Sequence, residues 1–349
     1  MGPIELDGRT LEGGAQLIRI ALCLSALTGK AVQIDNIRGN RSGGRGLKAQ
    51  HLACVKWLSH ACNAHVEGAE KGSKTLLFRP DAERTGLSPA FKKNSIYGRS
   101  IYQCELDIGT AGSTGQALQA ILPFILFTKL PTQDPIQLTV SGGTNVSGSP
   151  SFEYIKYVLL PTLQSIGFPP MTIELQKRGR SHGGSSIGSY ILEIQPREEM
   201  VLPAFSFGLP DTAGSLQPFS HLRAIFLGPT HCHDEFKAYF SWRLKSQKSP
   251  WPDDPATEIS CEDSQHEKRL YLILIPTIPT PPSPTPSSST PSTSSTPYTL
   301  GADHLYFKKI TNHSRAIREM VDRVTAELQS RWEGGTKVDE NMRDQLVQL

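Results

Sequence analysis

Residues 102–127 read YQCELDIGTAGSTGQALQAILPFILF. Tyr102, Cys104, Leu106 and Ile108 alternate with Gln103, Glu105 and Asp107, the period of a strand with one buried face. A glycine-rich turn, Gly109–Gly115, follows, and Gln116–Phe127 is apolar and long enough for a helix. Ile136, Leu138 and Val140 then alternate as a second strand, and Phe152, Ile155, Val158, Leu159, Leu163 and Ile166 recur at helical spacing. Met171–Leu175 and Tyr190–Ile194 read as two closing strands, so the unit is β-α-β-α-β-β.

The same order stands about 100 residues earlier. Ile4–Leu6 is a short strand, and Leu17, Ile20, Ala21, Leu24 and Leu27 form the apolar face of a helix that Gly29 ends. Val32–Ile37, a helix carrying Leu52, Val55, Leu58 and Cys62, and strands near Ala64–Glu67 and Thr75–Phe78 complete it. Recurrence at this period predicts an α+β fold of repeated β-α-β-α-β-β units forming a large domain. After Pro196 the pattern loosens; Ala224–Phe226, Glu235–Leu244 and Arg269–Ile275 predict a smaller inserted α+β domain. The expected division is a large domain over 1–200, an insert over 201–276, a disordered Pro/Ser/Thr loop over 277–299 and an incomplete third repeat over 300–349. Ser314–Trp332 would be the first helix of that third repeat and Asp339–Leu349 its second.

Composition excludes several classes. A net charge of +3 over 349 residues argues against histone-like binding by bulk charge, leaving only a local basic patch. The longest apolar runs, Ile121–Phe127 and Tyr271–Ile275, are too short to span a bilayer, and Met1–Thr10 lacks the apolar core of a signal peptide. The six cysteines form no C-x-x-C pair, which suits reduced cysteines acting as small hydrophobes in a soluble, reducing-compartment protein.

Three stretches could carry chemistry. Glu12-Gly13-Gly14 opens a helix bearing Arg19, where free backbone N–H groups and the helix dipole suit an anion; a plain turn with a snorkelling arginine is the alternative. Arg38, Arg41, Arg45 and Lys48 lie among glycines before the next helix, either a phosphate cradle or a solvated basic loop. Gly109–Gly115 lacks the lysine and spacing of a P-loop, so a nucleotide there would not bind Walker-fashion; tight packing on the sheet is the competing reading. His231-Cys232-His233-Asp234 is not expected to hold a metal, because adjacent residues rarely converge on one ion and no second cluster has suitable spacing. Glu262, Asp263 and His266 read as a solvated face, and His182 as part of a hairpin turn.

Leu6-Asp7-Gly8, Glu12-Gly13-Gly14 with Arg19, Ile37-Arg38 with Arg41, and Gln50-His51-Leu52 occur in this order. They are followed by Gly109-Thr110-Ala111-Gly112-Ser113-Thr114 with Gln119, Gly142-Gly143-Thr144-Asn145, Val338-Asp339-Glu340 and Asp344-Gln345-Leu346. Over about 1–200 and 300–349 this succession resembles the RNA 3′-terminal phosphate cyclase family, in a eukaryotic, fungal-like form. The resemblance implies ATP-dependent conversion of an RNA 3′-phosphate to a 2′,3′-cyclic phosphate through adenylylated intermediates. The vicinal 2′-hydroxyl it requires makes RNA, not DNA, the substrate. It implies ATP and Mg2+ or Mn2+ as cofactors, RNA 3′-phosphate ends as partner, no membrane, and a nuclear location.

Carried over by position, Glu12 would hold ATP and metal, Arg19, Arg38, Arg41 and Gln50 would line the phosphate pocket, and Gln119 with Asn341, Met342, Arg343, Asp344 and Gln345 would bind ATP. Two positions depart from the family pattern: Ala15 replaces a glycine, and Asn341 stands where an aromatic is expected. The ten histidines include none in the context of the family's nucleophile, which is expected beyond Leu349. The alternative is a non-catalytic RNA-binding or ribosome-assembly protein on the same fold.

Overall fold

The computed structural model describes residues 2–10, 15–41, 44–83, 85–181, 185–196, 202, 219–246, 256–279 and 298–346. The first stretch of chain forms β1 (Ile4–Asp7), α1 (Gln16–Thr28), β2 (Val32–Asp35), α2 (Ala49–Ala61), β3 (His65–Glu67) and β4 (Leu76–Arg79), in a sheet of order β1-β2-β4-β3. The next forms β5 (Lys92–Ile96), β6 (Arg99–Asp107), α3 (Thr114–Phe127), β7 (Ile136–Gly142), α4 (Phe152–Tyr154), a π turn (Ile155–Leu159), α5 (Leu160–Ser165), β8 (Met171–Lys177) and β9 (Gly188–Ile194). Its sheet runs β5-β6-β7-β9-β8. In both sheets the first pair of the shared order is parallel (β1–β2 and β6–β7) and the next two are antiparallel. A helix crosses over between each parallel pair, as that connection demands.

The helical layers of these sheets meet each other. α3 is mostly apolar and, apart from half-buried Gln116, buried from Thr114 to Leu126, because α1 and α2 cover the side its own sheet does not. Trp57 of α2 sets its ring edge-to-face on Phe124 of α3, with centroids 5.8 Å apart. The structure corrects the expected face of α1. Leu24 is exposed, while Ile18, Arg19, Leu22, Cys23 and Ala26 are buried. Leu17, Leu22 and Leu27 leave little contrast between faces, and the small side chains of Ala21, Cys23, Ser25 and Ala26 let α3 approach that side closely.

A third sheet contains β10 (His221–Gly228), β11 (Ala256–Asp263), β12 (Tyr271–Ile278), β13 (Tyr298–Thr299) and β14 (Ala302–Leu305). α6 (His233–Lys245) links the parallel strands β10 and β11. One face of this sheet, with Ala224, Phe226, Leu272 and Leu274, packs on Phe236 and Phe240 of α6 and on Ile317, Met320, Val321, Val324 and Leu328 of α7 (His313–Glu333). The opposite face, with Ile225, Leu227, Ile273 and Ile275, joins the core of the other two sheets. Burial on both sides explains the unbroken apolar run of β12. α7 therefore packs on the third sheet and α6; its amphipathic stripe said that it packs, not on what. Of the expected Pro/Ser/Thr loop, 280–297 lie outside the described residues, whereas Thr277 and Ile278 pair with Thr299 and Tyr298 as strands.

A partly buried ion network ties the second sheet to the third. Arg178, at the end of β8, contacts Glu153 at 2.5 Å, Glu262 of β11 through two of its nitrogens, and Asn145 Oδ1 at 3.2 Å. Asn145 donates in turn to Glu153. With so many acceptors Arg178 stays protonated despite burial, its proton affinity raised by both carboxylates.

The start of the last helix, α8 (Glu340–Leu346), is capped by one carboxylate. Asp339 accepts from the Met342 amide at 3.0 Å as the N-cap, from the Gly301 amide at 3.1 Å and from the Tyr154 hydroxyl. Beside it, Tyr271 donates to Asp303 at 3.0 Å. Burial lifts the Asp303 carboxyl to about 7, which Tyr271 and Arg331 oppose and Glu327 and Asp339 reinforce. Folded Asp303 thus keeps a proton that the unfolded chain has lost above the ordinary 3.8, so this group makes stability fall as pH rises from about 4 to about 7. Asp303→Asn, which still accepts from Tyr271 and cannot ionise, should reduce that fall. Urea unfolding at a series of pH values measures it, and an unchanged pH slope would contradict the assignment.

Candidate functional site

Where α1 and α3 face each other, Arg19 is 7% exposed and Gln119 is 3% exposed. Arg19 Nε donates to Gln119 Oε1 at 2.9 Å, and Gln119 Nε2 donates to the main-chain oxygen of Asp344 at 3.1 Å. One amide side chain therefore joins α1, α3 and α8. Burial lowers the proton affinity of Arg19, and the neighbouring Asp344 and Cys54 partly restore it. Asp344 is half-buried, Asn341 half-buried and Arg343 exposed, whereas Met342 sits in the core and Gln345 is buried. The side of α8 that carries Met342 is thus packing surface.

The basic loop lies next to this pair. Its two ends are anchored by buried Ile37 and Leu47, with Gly46 N–H donating to Ile37 O at 2.8 Å and Leu47 N–H to Ser73 O at 2.9 Å. Gly46 has φ +78° and packs on the Gly72 carbonyl so closely that a Cβ would lie 2.3 Å from that oxygen. Arg38 is itself left-handed, at φ +56°, which turns its side chain inward; it is 8% exposed and reaches Gly46 O at 3.4 Å. Burial and the nearby Arg41 lower the proton affinity of Arg38. Arg41 and Arg45 are exposed, and Ser42 and Gly43 between them lie outside the described residues.

His51, in the first turn of α2, records how close these cations lie. Burial, then Arg19, Arg38 and Lys48, push its pKa down to about 3. Its Nδ1 accepts the Lys48 amide at 3.1 Å, so it serves as part of the helix cap. A neutral imidazole, a buried amide and three cationic side chains meet at one helix junction, a concentration of positive potential that suits phosphate oxygens.

Gln50 also falls here, but its amide is already engaged. Its Oε1 accepts the Ser113 N–H at 3.1 Å, and its Nε2 donates to Gln116 Oε1 at 2.8 Å. It joins α2 to the start of α3, where the Ser113 hydroxyl caps the helix by accepting from Gln116 N–H at 3.1 Å. The Gly142–Asn145 motif is scaffold for this junction. Gly143 donates to Gly112 O at 2.7 Å and accepts from Thr114 N–H at 3.0 Å, and a Cβ at Gly143 would lie 2.5 Å from Ala111 O. Thr144 and Asn145 are fully buried.

The structure thus brings together Arg19, Arg38, Arg41, Gln119 and Asp344, with Gln50 bracing the helices beside them. Glu12, Gly13 and Gly14 lie outside the described residues, as does His182. Sequence reasoning missed His51, Gln116 and the Tyr154–Asp339 bond. His51 and Gln116 stood inside quoted motifs, but only packing shows that they contact the site. Among the described residues, no helix is long and apolar enough to cross a membrane. All six cysteines are unbridged and five are buried; burial pushes Cys54, near Arg19, up to about 12.

An α+β fold carrying buried arginine and glutamine at the junction of its helices, with a glycine-lined basic loop, defines a phosphate-handling class of protein. Residues 10–349 match the family described as RNA 3′-terminal phosphate cyclase, and the chain belongs to that family. It is 37% identical over 203 residues to the RNA 3′-terminal phosphate cyclase of Desulfurococcus amylolyticus, covering 58% of this chain and 50% of that relative. It is also 37% identical over 203 residues to that of Pyrococcus furiosus, covering 58% and 53%, and 38% identical over 190 residues to that of Methanosarcina acetivorans, covering 54% and 47%. The match spans about half the length of these curated relatives.

Gln119→Ala should cost about 2 kcal/mol of stability, because it leaves the buried Arg19 guanidinium without its side-chain acceptor. Chemical denaturation measures the loss. Hydrogen exchange should rise selectively in 340–346, the helix that Gln119 tethers; uniform exchange would disprove the tether.

Proposed function

We propose that this chain binds ATP and RNA ending in a 3′-phosphate, and that it serves the ATP-dependent conversion of that end to a 2′,3′-cyclic phosphate. The observation that carries the reading is the Arg19–Gln119–Asp344 relay, a buried guanidinium held at the mouth of a basic loop. In this reading Arg19, Arg38 and Arg41 take the RNA phosphate, with Gln50 holding the helices that present them. Gln119 and the polar side of α8, Asn341 and Asp344 with Arg343, take ATP, while Met342 and Gln345 set the helix in place. The nearness of Arg41 to Arg38, and of Arg19 and Arg38 to His51, supports this, since an arriving phosphate offsets that concentration of positive charge.

Mg2+ or Mn2+ would supply neutralisation of phosphate charge in such a reaction. The carboxylate proposed to hold it, Glu12, precedes α1, and Asp344 is the described carboxylate whose field reaches Arg19. His51 is not proposed as the group that accepts AMP: it is 3% exposed and its Nδ1 is occupied by the Lys48 amide.

Filter binding with two RNAs differing only in a 3′-phosphate or a 3′-hydroxyl tests the reading. We expect the phosphate end to bind about tenfold more tightly, a difference of about 1.4 kcal/mol, and Arg38→Ala to remove most of that preference. Equal binding of the two ends, or RNA binding indifferent to ATP, would favour a non-catalytic RNA-binding role. After incubation with α-labelled ATP and magnesium, the denatured chain should carry no label on His51; an adduct that His51→Gln abolishes would reverse that assignment.

A further inference from the structure

His231-Cys232-His233-Asp234 has no second cluster at metal-binding spacing along the chain. The fold supplies the missing residue from elsewhere. His313 opens α7, and its ring meets that of His231 edge-on, with centroids 5.0 Å apart at 86°. Ligand atoms of His231, Cys232 and His313 all lie within 4.8 Å of one another. His233 and Asp234 do not take part: His233 Nε2 lies 3.0 Å from Gly228 O, and the Asp234 side chain is fully exposed.

We propose that His231, Cys232 and His313 bind a zinc-class divalent ion. Tetrahedral zinc places its donors about 3.5 Å apart, so the cluster needs to close by about 1 Å, within the reach of side-chain rotation at exposed His231 and half-buried His313. One sulfur and two imidazoles select zinc over magnesium or calcium, which prefer oxygen. The fourth position faces Glu267, whose carboxylate lies 3.7 Å from His231 Nε2 and 3.5 Å from His313 Nε2. The main-chain oxygen of Glu267 lies 2.8 Å from His313 Nε2, so His313 would ligate through its other nitrogen, Nδ1, while that outer contact orients the ring. An open cleft of about 570 Å³, lined by Thr230, His231, Asp263, His266 and Glu267, gives the ion and a water a route in.

Charge favours the same reading. Cys232 is 1% exposed, and the Glu267 and Glu235 carboxylates lie near it. A bound dication offsets those carboxylates and the thiolate together; as sulfur bonds to the metal, the S–H proton is released to solvent. The ion would clamp the start of α6, the start of α7 and the β11–β12 turn, which already meet through Ser314 donating to Glu235 at 2.7 Å. This site stands apart from the α1–α3 junction and does not depend on the function proposed there.

Cobalt titration of the full chain, purified with chelator, is the test. We expect one equivalent of Co2+ to give the visible bands of tetrahedral cobalt and a sulfur-to-cobalt charge-transfer band, both displaced by Zn2+. His231→Gln and His313→Gln should each weaken binding more than about tenfold, and Cys232→Ser should remove the charge-transfer band. Because Cys232 lies in the core, exposed His231 provides the variant that keeps the fold. His65→Gln, on a distant edge strand, should bind as the parent does. Excess zinc should raise the melting temperature of the parent by several degrees and leave that of His231→Gln unmoved. Absence of the cobalt bands, or affinity unchanged by both histidine substitutions, overturns the proposal.

Discussion

A guanidinium cannot be buried between two helices without an acceptor, and the position of Arg19 imposes that condition on the molecule. Gln119 meets it, and its other amide atom then determines where α8 lies. The residues so joined stand 100 and 225 positions apart. Leaving that guanidinium without its amide acceptor costs about 2 kcal/mol, more than a surface ion pair returns, so the three helices are coupled by more than apolar packing. The polar groups of the candidate site are therefore also its structural fastenings.

The same logic recurs one layer away. Asp339 caps α8 and draws Tyr154 and the Gly301 amide to it, linking the second sheet's helices to the connection after β13. Arg178 performs the corresponding task between β8 and β11. Arg180 lies close by, 2% exposed, and burial beside Arg178 and Arg269 pushes it down to about 10. Between these polar fastenings the third sheet is apolar on both faces, which lets it serve α6 and α7 on one side and the common core on the other.

Alternation was enough to locate β6, β7, β8 and β9, because each has a contrast between buried and exposed faces that the chain itself displays, and α3 was legible from its length of apolar chain. β5, with the polar sequence Lys92–Ile96, and β11, alternating weakly over Ala256–Asp263, had no such contrast. They are strands because a neighbouring edge was available to pair with. α1 shows the converse failure: it is apolar on most sides, so periodicity could not tell which side faces inward, and Arg19 lay on the side that did.

For the site, motif order named Arg19, Arg38, Arg41, Gln50 and Gln119 before any contact was visible. What those side chains do depends on approach. Gln50 spends its amide on the start of α3, His51 on a helix cap, and Met342 on the core. Local sequence carries backbone preference and the hydrophobic period, both properties of near neighbours, and these sufficed for element types and for a list of polar candidates. Pairing across long sequence separations is another matter. The burial of Arg19 against Gln119, the docking of α7 on the third sheet and the meeting of His313 with His231 all follow from which surfaces the folded layers press together.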